Sequence, residues 1–179
     1  MSRSAPLLSL VLALSLPTLG AAQEAPPDLS DPEVAHVAVT ANSIDIELGE
    51  VAESRAGSAE VRRFAAMMVR DHAAVNERAA ALAAKLGVTP KDNAVSQSLL
   101  SGAKEARATV EPLDGAAFDQ AYIEREIGYH QAVLDALDGL LVPTTENAEL
   151  KQLLVEVRPA IAAHLAYARQ VGRKLQASR

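Results

Sequence analysis

The chain has no cysteine and no tryptophan, and its only aromatic residues are three tyrosines and two phenylalanines. Without cysteine there is no disulfide framework, no thiolate metal site and no thiol nucleophile. So few aromatic residues argue against the stacking platforms on which bases or sugars bind. The formal net charge of −6 provides no basic surface for nucleic acid or anionic lipid. We therefore expect no nucleic-acid partner.

Enzyme motifs are also missing from the sequence. It contains no glycine-rich phosphate loop, no serine nucleophile elbow and no paired-carboxylate motif. We therefore predict no enzymatic activity, no bound nucleotide and no flavin. Two function classes remain: an exported, non-catalytic helical bundle that binds a metal or simply acts in envelope stress, and an interaction module whose outer helical faces contact envelope partners. The sequence does not indicate the oligomeric state.

One long apolar run occurs, from residue 7 to residue 16, and it is too short to span a bilayer, which takes about 20 residues. Arg3 precedes this run and Gly20-Ala21-Ala22 follows it, which is the pattern of a secretory signal peptide. We expect export, to the periplasm or alternatively to the extracellular space, with no membrane span in the mature chain. The predicted division is a signal peptide over 1–22, a flexible linker over 23–32 and one domain over 33–176.

The remaining sequence is dominated by helical periodicity. The clearest stretch runs from Ser58 to Gly87, with apolar residues every three or four positions, a serine cap and a glycine that can end the helix. Ser30 and Glu33 have the spacing of a capping box for a first helix that ends near Ala56. The other predicted helices cover 93–110, 116–141 and a last stretch from a Pro143–Thr145 cap to about 175.

Four amphipathic helices of about 25 residues predict an all-α fold, a four-helix bundle. The shorter helix over 93–110 can return the chain along the bundle as a crossover between the second and third long helices. Those two helices are then parallel, as in ferritin-like bundles, and we favour this arrangement. If 93–110 instead folds against the end of the bundle, the topology is up-down-up-down.

Several short segments form a distinctive set: Phe64-Ala65, Met68-Val69-Arg70-Asp71-His72, Leu86-Gly87-Val88, Ala117-Phe118-Asp119 with Tyr122, His130, and Pro159 with His164-Leu165. Together, in this order and spacing, they resemble the bacterial domain of unknown function 4142 over about residues 33–175. The resemblance implies an exported bacterial protein with a ferritin-like bundle, and it implies no activity. Where the family usually has Lys-Asp-His or Asp-Asp-His, this chain has Gly128-Tyr129-His130.

Three of the four histidines lie on apolar stripes. His72, His130 and His164 take core-facing positions on three different helices, whereas His36 lies off its stripe and is expected to be solvated. A buried imidazole needs partners for both ring nitrogens. With the second and third long helices parallel, the heights of these residues along the bundle differ by only ~5–8 Å at 1.5 Å per residue. The histidines can therefore meet.

These residues predict a candidate metal site. Imidazole and carboxylate suit zinc, iron, copper, manganese or nickel. The di-iron pattern of ferritin-like proteins needs Glu-x-x-His on two helices, but Val69, Ile127 and Ile161 precede the histidines by three residues. We therefore predict a single transition-metal ion at most. The candidate ligands are His72, His130, His164 and a carboxylate from Glu47 or Glu126.

Two alternatives stay open. The histidines and their polar neighbours can form a structural layer that fixes helix register, without any ion. Haem, held by a histidine and Met67 or Met68, is a further alternative, although core methionines usually fill gaps. Pro159, inside the last helix, is expected to kink it, either aiming His164 or wrapping the helix around the core.

Overall fold

The computed structural model describes residues 27–177. The predicted signal peptide, 1–22, and the first part of the predicted linker lie outside the described residues, so both stay predictions. Within 27–177 the protein is all-helical and contains no strand. No helix in this range has the length and hydrophobicity that crossing a membrane takes.

Five long helices make up the fold. They are α1 (Asp31–Arg55), α2 (Ala59–Leu86), α3 (Ala94–Val110), α4 (Gly115–Ala136) and α6 (Ala148–Ala177). Between the last two, a π-helical turn (Leu137–Leu141) and the single turn α5 (Val142–Thr144) extend α4 without a break in helical backbone.

The first two helices begin and end where their caps predict. Ser30 and Glu33 form the capping box of α1, which begins at Asp31, so the last two residues assigned to the linker belong to the helix. Ser58 accepts hydrogen bonds from two backbone amides in the first turn of α2, and Gly87 ends that helix at φ 64°. A left-handed residue at this position favours glycine.

The predicted start of the last helix is wrong. Thr145 is not its cap, because the Thr145 hydroxyl donates to the carbonyl of Leu141 in the preceding turn, at 2.5 Å. Asn147 is the cap instead, and its side-chain oxygen accepts from the amides of Glu149 and Leu150 at 3.0 Å each. Threonine hydroxyls often bond back to the preceding helical turn, whereas asparagine is among the strongest N-caps.

Hydrogen bonds at the helix ends fix the direction of each helix. The Asp119 carboxylate accepts from the amides of Gly57 and Ser58, at 2.9 and 2.7 Å, so α4 begins beside the start of α2. The amides just before α6 donate to Asp31 at 2.9 Å, so α6 begins beside the start of α1. Consequently α2 and α4 are parallel to each other and antiparallel to α1 and α6.

The helix α3 runs along α1 from end to end. Near its start, the Lys91 amide donates to the carbonyl of Pro32 at 2.9 Å. At its far end, Arg55 donates to the carbonyls of Glu111 and Leu113, at 2.9 and 2.8 Å. The chain therefore crosses the length of the molecule between α2 and α4.

Two apolar clusters fill the core, one on each side of a polar layer. This layer consists of the buried side chains of Asp45, His72, Glu126, His130 and His164. The cluster near the α1–α2 turn contains Phe64, Met68, Phe118 and Tyr122. The cluster at the other end contains Val37, Leu134, Leu154 and Ile161, among others. In α1 and α4, buried acidic or histidine residues lie between the members of one cluster and those of the other.

Candidate metal centre

The three predicted histidines meet in the polar layer. The ring centroids of His72, His130 and His164 are 5.4 to 5.7 Å apart. Each offers a ring nitrogen, and the three nitrogens lie within 4.8 Å of one another. All three residues are buried. The helix spacing therefore placed these side chains correctly relative to one another.

Glu47, one of the two carboxylates predicted as a candidate ligand, does not reach this cluster, so that prediction is wrong. Its side chain is 68% exposed and lies 3.9 Å from Arg107 on α3. Asp45 is buried instead, with no exposed surface. Residues that are two apart in an α-helix point about 200° away from each other around the helix axis. Because Asp45 points inward, Glu47 points outward.

Asp45 is the carboxylate that the sequence analysis missed. Its Oδ2 lies 2.9 Å from His72 Nε2 and 3.7 Å from His130 Nε2. Its Oδ1 accepts from Arg125 at 2.7 Å. A signal was available, because the buried residues Asn42, Asp45, Gly49 and Ala52 form a second stripe beside the apolar one on α1.

Arg125 connects the two buried carboxylates of the layer. The same guanidinium nitrogen donates to Asp45 and, at 2.6 Å, to Oε1 of Glu126. The guanidinium carbon also lies 3.9 Å from the ring centre of Tyr129, which donates through its hydroxyl to the Ala41 carbonyl at 2.8 Å. This cation is therefore held at an almost fully buried position.

Two of the histidines are anchored through Nδ1. His72 Nδ1 is 2.8 Å from the side-chain oxygen of Asn42, whose amide nitrogen donates to Asn76 at 3.0 Å. His130 Nδ1 is 2.9 Å from the backbone carbonyl of Glu126. Both partners are acceptors, so Nδ1 donates in each ring. The other nitrogen, Nε2, faces the cluster, and that of His72 lies 2.9 Å from the Asp45 carboxylate.

His164 is anchored in the opposite sense. Its Nε2 lies 3.1 Å from Oδ2 of Asp71, a carboxylate that accepts, so the proton is on Nε2 and the lone pair is on Nδ1. Asp71 is itself held by Arg70 at 2.8 Å. Each of the three rings therefore has one nitrogen anchored by an acceptor and the other nitrogen turned into the cluster.

The atoms turned into the cluster have few hydrogen-bond partners. Buried polar atoms normally have a partner, and each exception needs an explanation. In the described part of the chain seven buried side-chain atoms have none, and five of them belong to this cluster. The five are His130 Nε2, His164 Nδ1 and Glu126 Oε2, together with His72 Nε2 and Asp45 Oδ2, which contact each other at 2.9 Å but form no other hydrogen bond.

The carboxylates differ in charge because their surroundings differ. Burial works against ionisation of Asp45, but the contact with His72 and the charges near it, including Arg125, outweigh burial and lower its pKa. Burial and the neighbouring Asp45 charge raise the pKa of Glu126 well above its usual value. At neutral pH the layer therefore holds an Asp45–Arg125 ion pair and a protonated Glu126.

Burial also keeps two of the histidines neutral. It lowers the pKa of His130 to about 4, the nearby Asp45 charge only partly opposing this. It lowers the pKa of His164 as well, against the opposing effect of Asp71. Neutral imidazole is the form that binds metals.

A second grouping of possible ligands shares His130. It consists of Asp45, Glu126 and His130, with ligand atoms within 4.8 Å of one another. The Arg125 guanidinium already bonds both carboxylates of this grouping. Because a fixed cation neutralises them there, the arrangement favours one metal ion over two.

The other residues singled out in the sequence lie elsewhere. Met68 is fully buried in the apolar cluster around Phe64, and Met67 packs against that cluster. His36, expected to be solvated, is half-buried, with Nδ1 2.8 Å from the Ser96 hydroxyl on α3. Pro159 lies inside α6, which continues through it.

The chain belongs to the family described as Domain of unknown function (DUF4142), whose model matches residues 16–171. No curated protein and no solved structure matches the chain.

Proposed function

We propose that this member of the DUF4142 family binds one transition-metal ion inside its helical bundle. The ligands are His72 Nε2, His130 Nε2, His164 Nδ1 and Asp45 Oδ2. One observation supports the proposal most. Three imidazoles, each oriented by a hydrogen bond on one nitrogen, turn their other nitrogens into one buried cluster beside an ionised carboxylate. Metal-binding histidines are usually oriented by such hydrogen bonds.

The donor distances suit a small divalent ion. Tetrahedral zinc with metal–ligand bonds of about 2.0–2.1 Å needs ligand atoms about 3.3 Å apart. The two contacts of Asp45 Oδ2 with histidine nitrogens, 2.9 and 3.7 Å, bracket that value. Nitrogen and oxygen donors without sulfur favour zinc, iron, manganese, nickel or divalent copper.

Glu126 takes a supporting role in this proposal, not that of a ligand. Its carboxyl accepts from Arg125 and is protonated at neutral pH, which makes it a poor ligand. Its backbone carbonyl accepts from His130 Nδ1 and so directs Nε2 of that ring inward. We assign it the positioning of His130.

We further propose that α1, α2, α4 and α6 form a ferritin-like four-helix bundle with α3 as the crossover. The parallel arrangement of α2 and α4 supports this topology. The predicted signal peptide supports export, most simply to the periplasm. Detection of the tagged chain in periplasmic extracts, shortened by about two kilodaltons, would support this, and retention of the full length in the cytoplasm would contradict it.

Metal analysis tests the site. The protein, purified without a polyhistidine tag and treated with chelator, is incubated with zinc, copper, nickel, manganese or ferrous iron, desalted and analysed by mass spectrometry. We expect about one equivalent of at least one metal. The variants His72→Ala and His164→Ala should retain less than about 0.1 equivalent, whereas His36→Ala, outside the cluster, should bind as the wild type does.

The second candidate is a structural polar layer without an ion. The Asp45–Arg125 pair, which balances its own charge with Glu126 protonated, favours it. Less than about 0.1 equivalent in the wild type for every metal, with no thermal shift, would decide for this alternative and against metal binding.

A further inference from the structure

The second half of α2 has an apolar face that residues 27–177 leave uncovered. All the buried residues of α2 lie between Val61 and His72. The apolar spacing nevertheless continues through Val75, Ala79, Leu82 and Leu86, which are only half-buried. An apolar stripe on a helix normally packs against the core. Because the apolar residues in the second half of α2 are not fully buried, there is a space beside them that core side chains would normally fill.

That space is an apolar slot of about 520 Å³. Its walls come from α1, α2, the π-helical turn and α6. The volume falls within the range of about 300–1,000 Å³ that small-molecule pockets occupy. Protein interiors rarely leave voids larger than a water molecule, so this slot is far larger than a packing defect.

The slot is long. Its lining residues extend along α1 from Asp31 to Asn42 and along α2 from Val75 to Leu86. Eleven residues of helix correspond to about 17 Å. The hydrocarbon core of a bilayer is about 30 Å thick, so one acyl chain reaches about 15 Å. The slot therefore matches the length of a single extended acyl chain.

The few polar groups of the slot indicate the charge of its ligand. Among the described residues that line the slot, the only charged side chain is that of Asp31, and the only other polar ones are those of Asn42, Asn76 and Asn147. Asp31 already accepts two backbone hydrogen bonds from the residues before α6. No lining side chain could pair with a carboxylate or phosphate, so the polar end of the ligand is uncharged.

We propose that this slot binds one acyl chain of an uncharged single-chain lipid, such as a monoacylglycerol or a fatty alcohol. Apolar cavities stay dry and take apolar ligands. At one end the slot reaches Asn42, which holds His72 Nδ1 at 2.8 Å, so the lipid lies next to the polar layer. The proposal does not depend on a metal being bound there.

Displacement of a neutral apolar dye tests the proposal. The chain from Gln23 onwards, which contains all the described residues, is treated with chelator and loaded with N-phenyl-1-naphthylamine. Monoacylglycerols of 6 to 18 carbons are then added below their micellar concentrations. We expect affinity to increase about fourfold per added methylene and to level off near 14 carbons, where the chain fills the slot. Affinity that does not depend on chain length would overturn the proposal.

A matched pair of variants locates the binding. Ala79→Phe places a ring in the slot and should weaken binding of the 14-carbon monoacylglycerol at least tenfold, with an unchanged or higher melting temperature. Ala84→Phe, on the exposed face of the same helix, should bind as the wild type does. Equal binding by Ala79→Phe and wild type would exclude the slot.

Two further outcomes would overturn parts of the proposal. Myristate should bind at least fivefold more weakly than the monoacylglycerol of equal chain length, and equal or tighter binding of the carboxylate would contradict the uncharged head group. A wild-type chain that dimerises, binds no lipid and becomes monomeric as Ala79→Phe would show that a second copy covers the slot instead.

Discussion

At the scale of single residues, the polar layer shifts the pKa values of two chemically similar carboxyl groups in opposite directions. Asp45 and Glu126 share one guanidinium nitrogen of Arg125, yet the pKa of the first is lowered and that of the second is raised. Two adjacent buried carboxylates cannot both ionise beside a single cation. The one nearer the histidines keeps the charge, which is where a metal ligand is needed.

This difference predicts opposite consequences for two conservative substitutions. With chelator present at pH 7, Glu126→Gln should change the free energy of unfolding by less than about 1 kcal/mol, because glutamine resembles the protonated acid. Asp45→Asn should cost about 1.5–3 kcal/mol, because it removes the charged hydrogen bond to Arg125 and the contact with His72, and Glu126 must ionise in its place. Urea unfolding measures both, and equal losses would contradict the assigned charges.

His130 predicts a pH dependence of stability. Its pKa is about 4 in the folded protein and about 6.5 in the unfolded chain. Between these values the unfolded chain binds more protons, so this contribution is complete above pH 6.5 and is lost as the pH falls towards 4. The slope is up to about 1.4 kcal/mol per pH unit. The free energy of unfolding, measured with chelator at several pH values, should depend on pH less steeply in His130→Gln than in the wild type, by up to that amount. The same pH dependence in both proteins would refute the assignment.

At the scale of helices, α1 and α2 approach each other closely while α3 covers α1 more loosely. A Cβ atom added at Gly49 would lie 3.0 Å from the side chain of Val69 and 3.4 Å from the carbonyl of Ala65. A Cβ atom at Gly102, in α3, would meet nothing within 4 Å. Both glycines lie inside helices, but only the first is required by packing.

The two glycines therefore form a matched pair. Gly102→Ala should stabilise the protein by about 0.5–1 kcal/mol, because alanine favours helix and reduces the entropy of the unfolded chain. Gly49→Ala gains the same helix preference but overpacks the α1–α2 contact, which typically costs about 1–3 kcal/mol. Chemical denaturation should show a gain for the first and a net loss for the second. A gain for both would mean that the helices separate without cost.

Helix positions were predicted well because their signals are local. The caps at Ser30, Ser58 and Gly87 and the crossover helix over 93–110 follow from residues within a few positions of each helix end. The start of α6 was misplaced because two neighbouring caps compete, and Thr145 turns its hydroxyl back to Leu141. The π-helical turn over Leu137–Leu141 leaves the apolar periodicity intact, so the sequence contains no signal for it.

At the scale of the whole molecule, the polar layer and the slot divide the core. The apolar cluster near the α1–α2 turn is filled, whereas the opposite end is interrupted by the slot beside α2. An ion in the layer would hold α1, α2, α4 and α6 together at one level, because one ligand comes from each helix.

Metal binding should therefore stabilise the entire domain. An ion at 100 times its dissociation constant adds about 2.7 kcal/mol, which corresponds to about 5–10 °C for a domain of this size. Calorimetry with and without zinc should show this rise for the wild type and for His36→Ala, and no rise for His72→Ala. Equal rises in all three would indicate binding outside the cluster.

The sequence by itself determined the helices, their caps and the inward positions of His72, His130 and His164, because apolar periodicity and capping act within a few residues. Only the tertiary structure decided which carboxylate joins them. The direction of an acidic side chain on α1 depends on how that helix is rotated against α2, α3 and α4, and Asp45 and Glu47 point in nearly opposite directions. The tertiary structure also decided where the core stays open, because a continuous apolar stripe in the sequence does not show whether another helix packs against it.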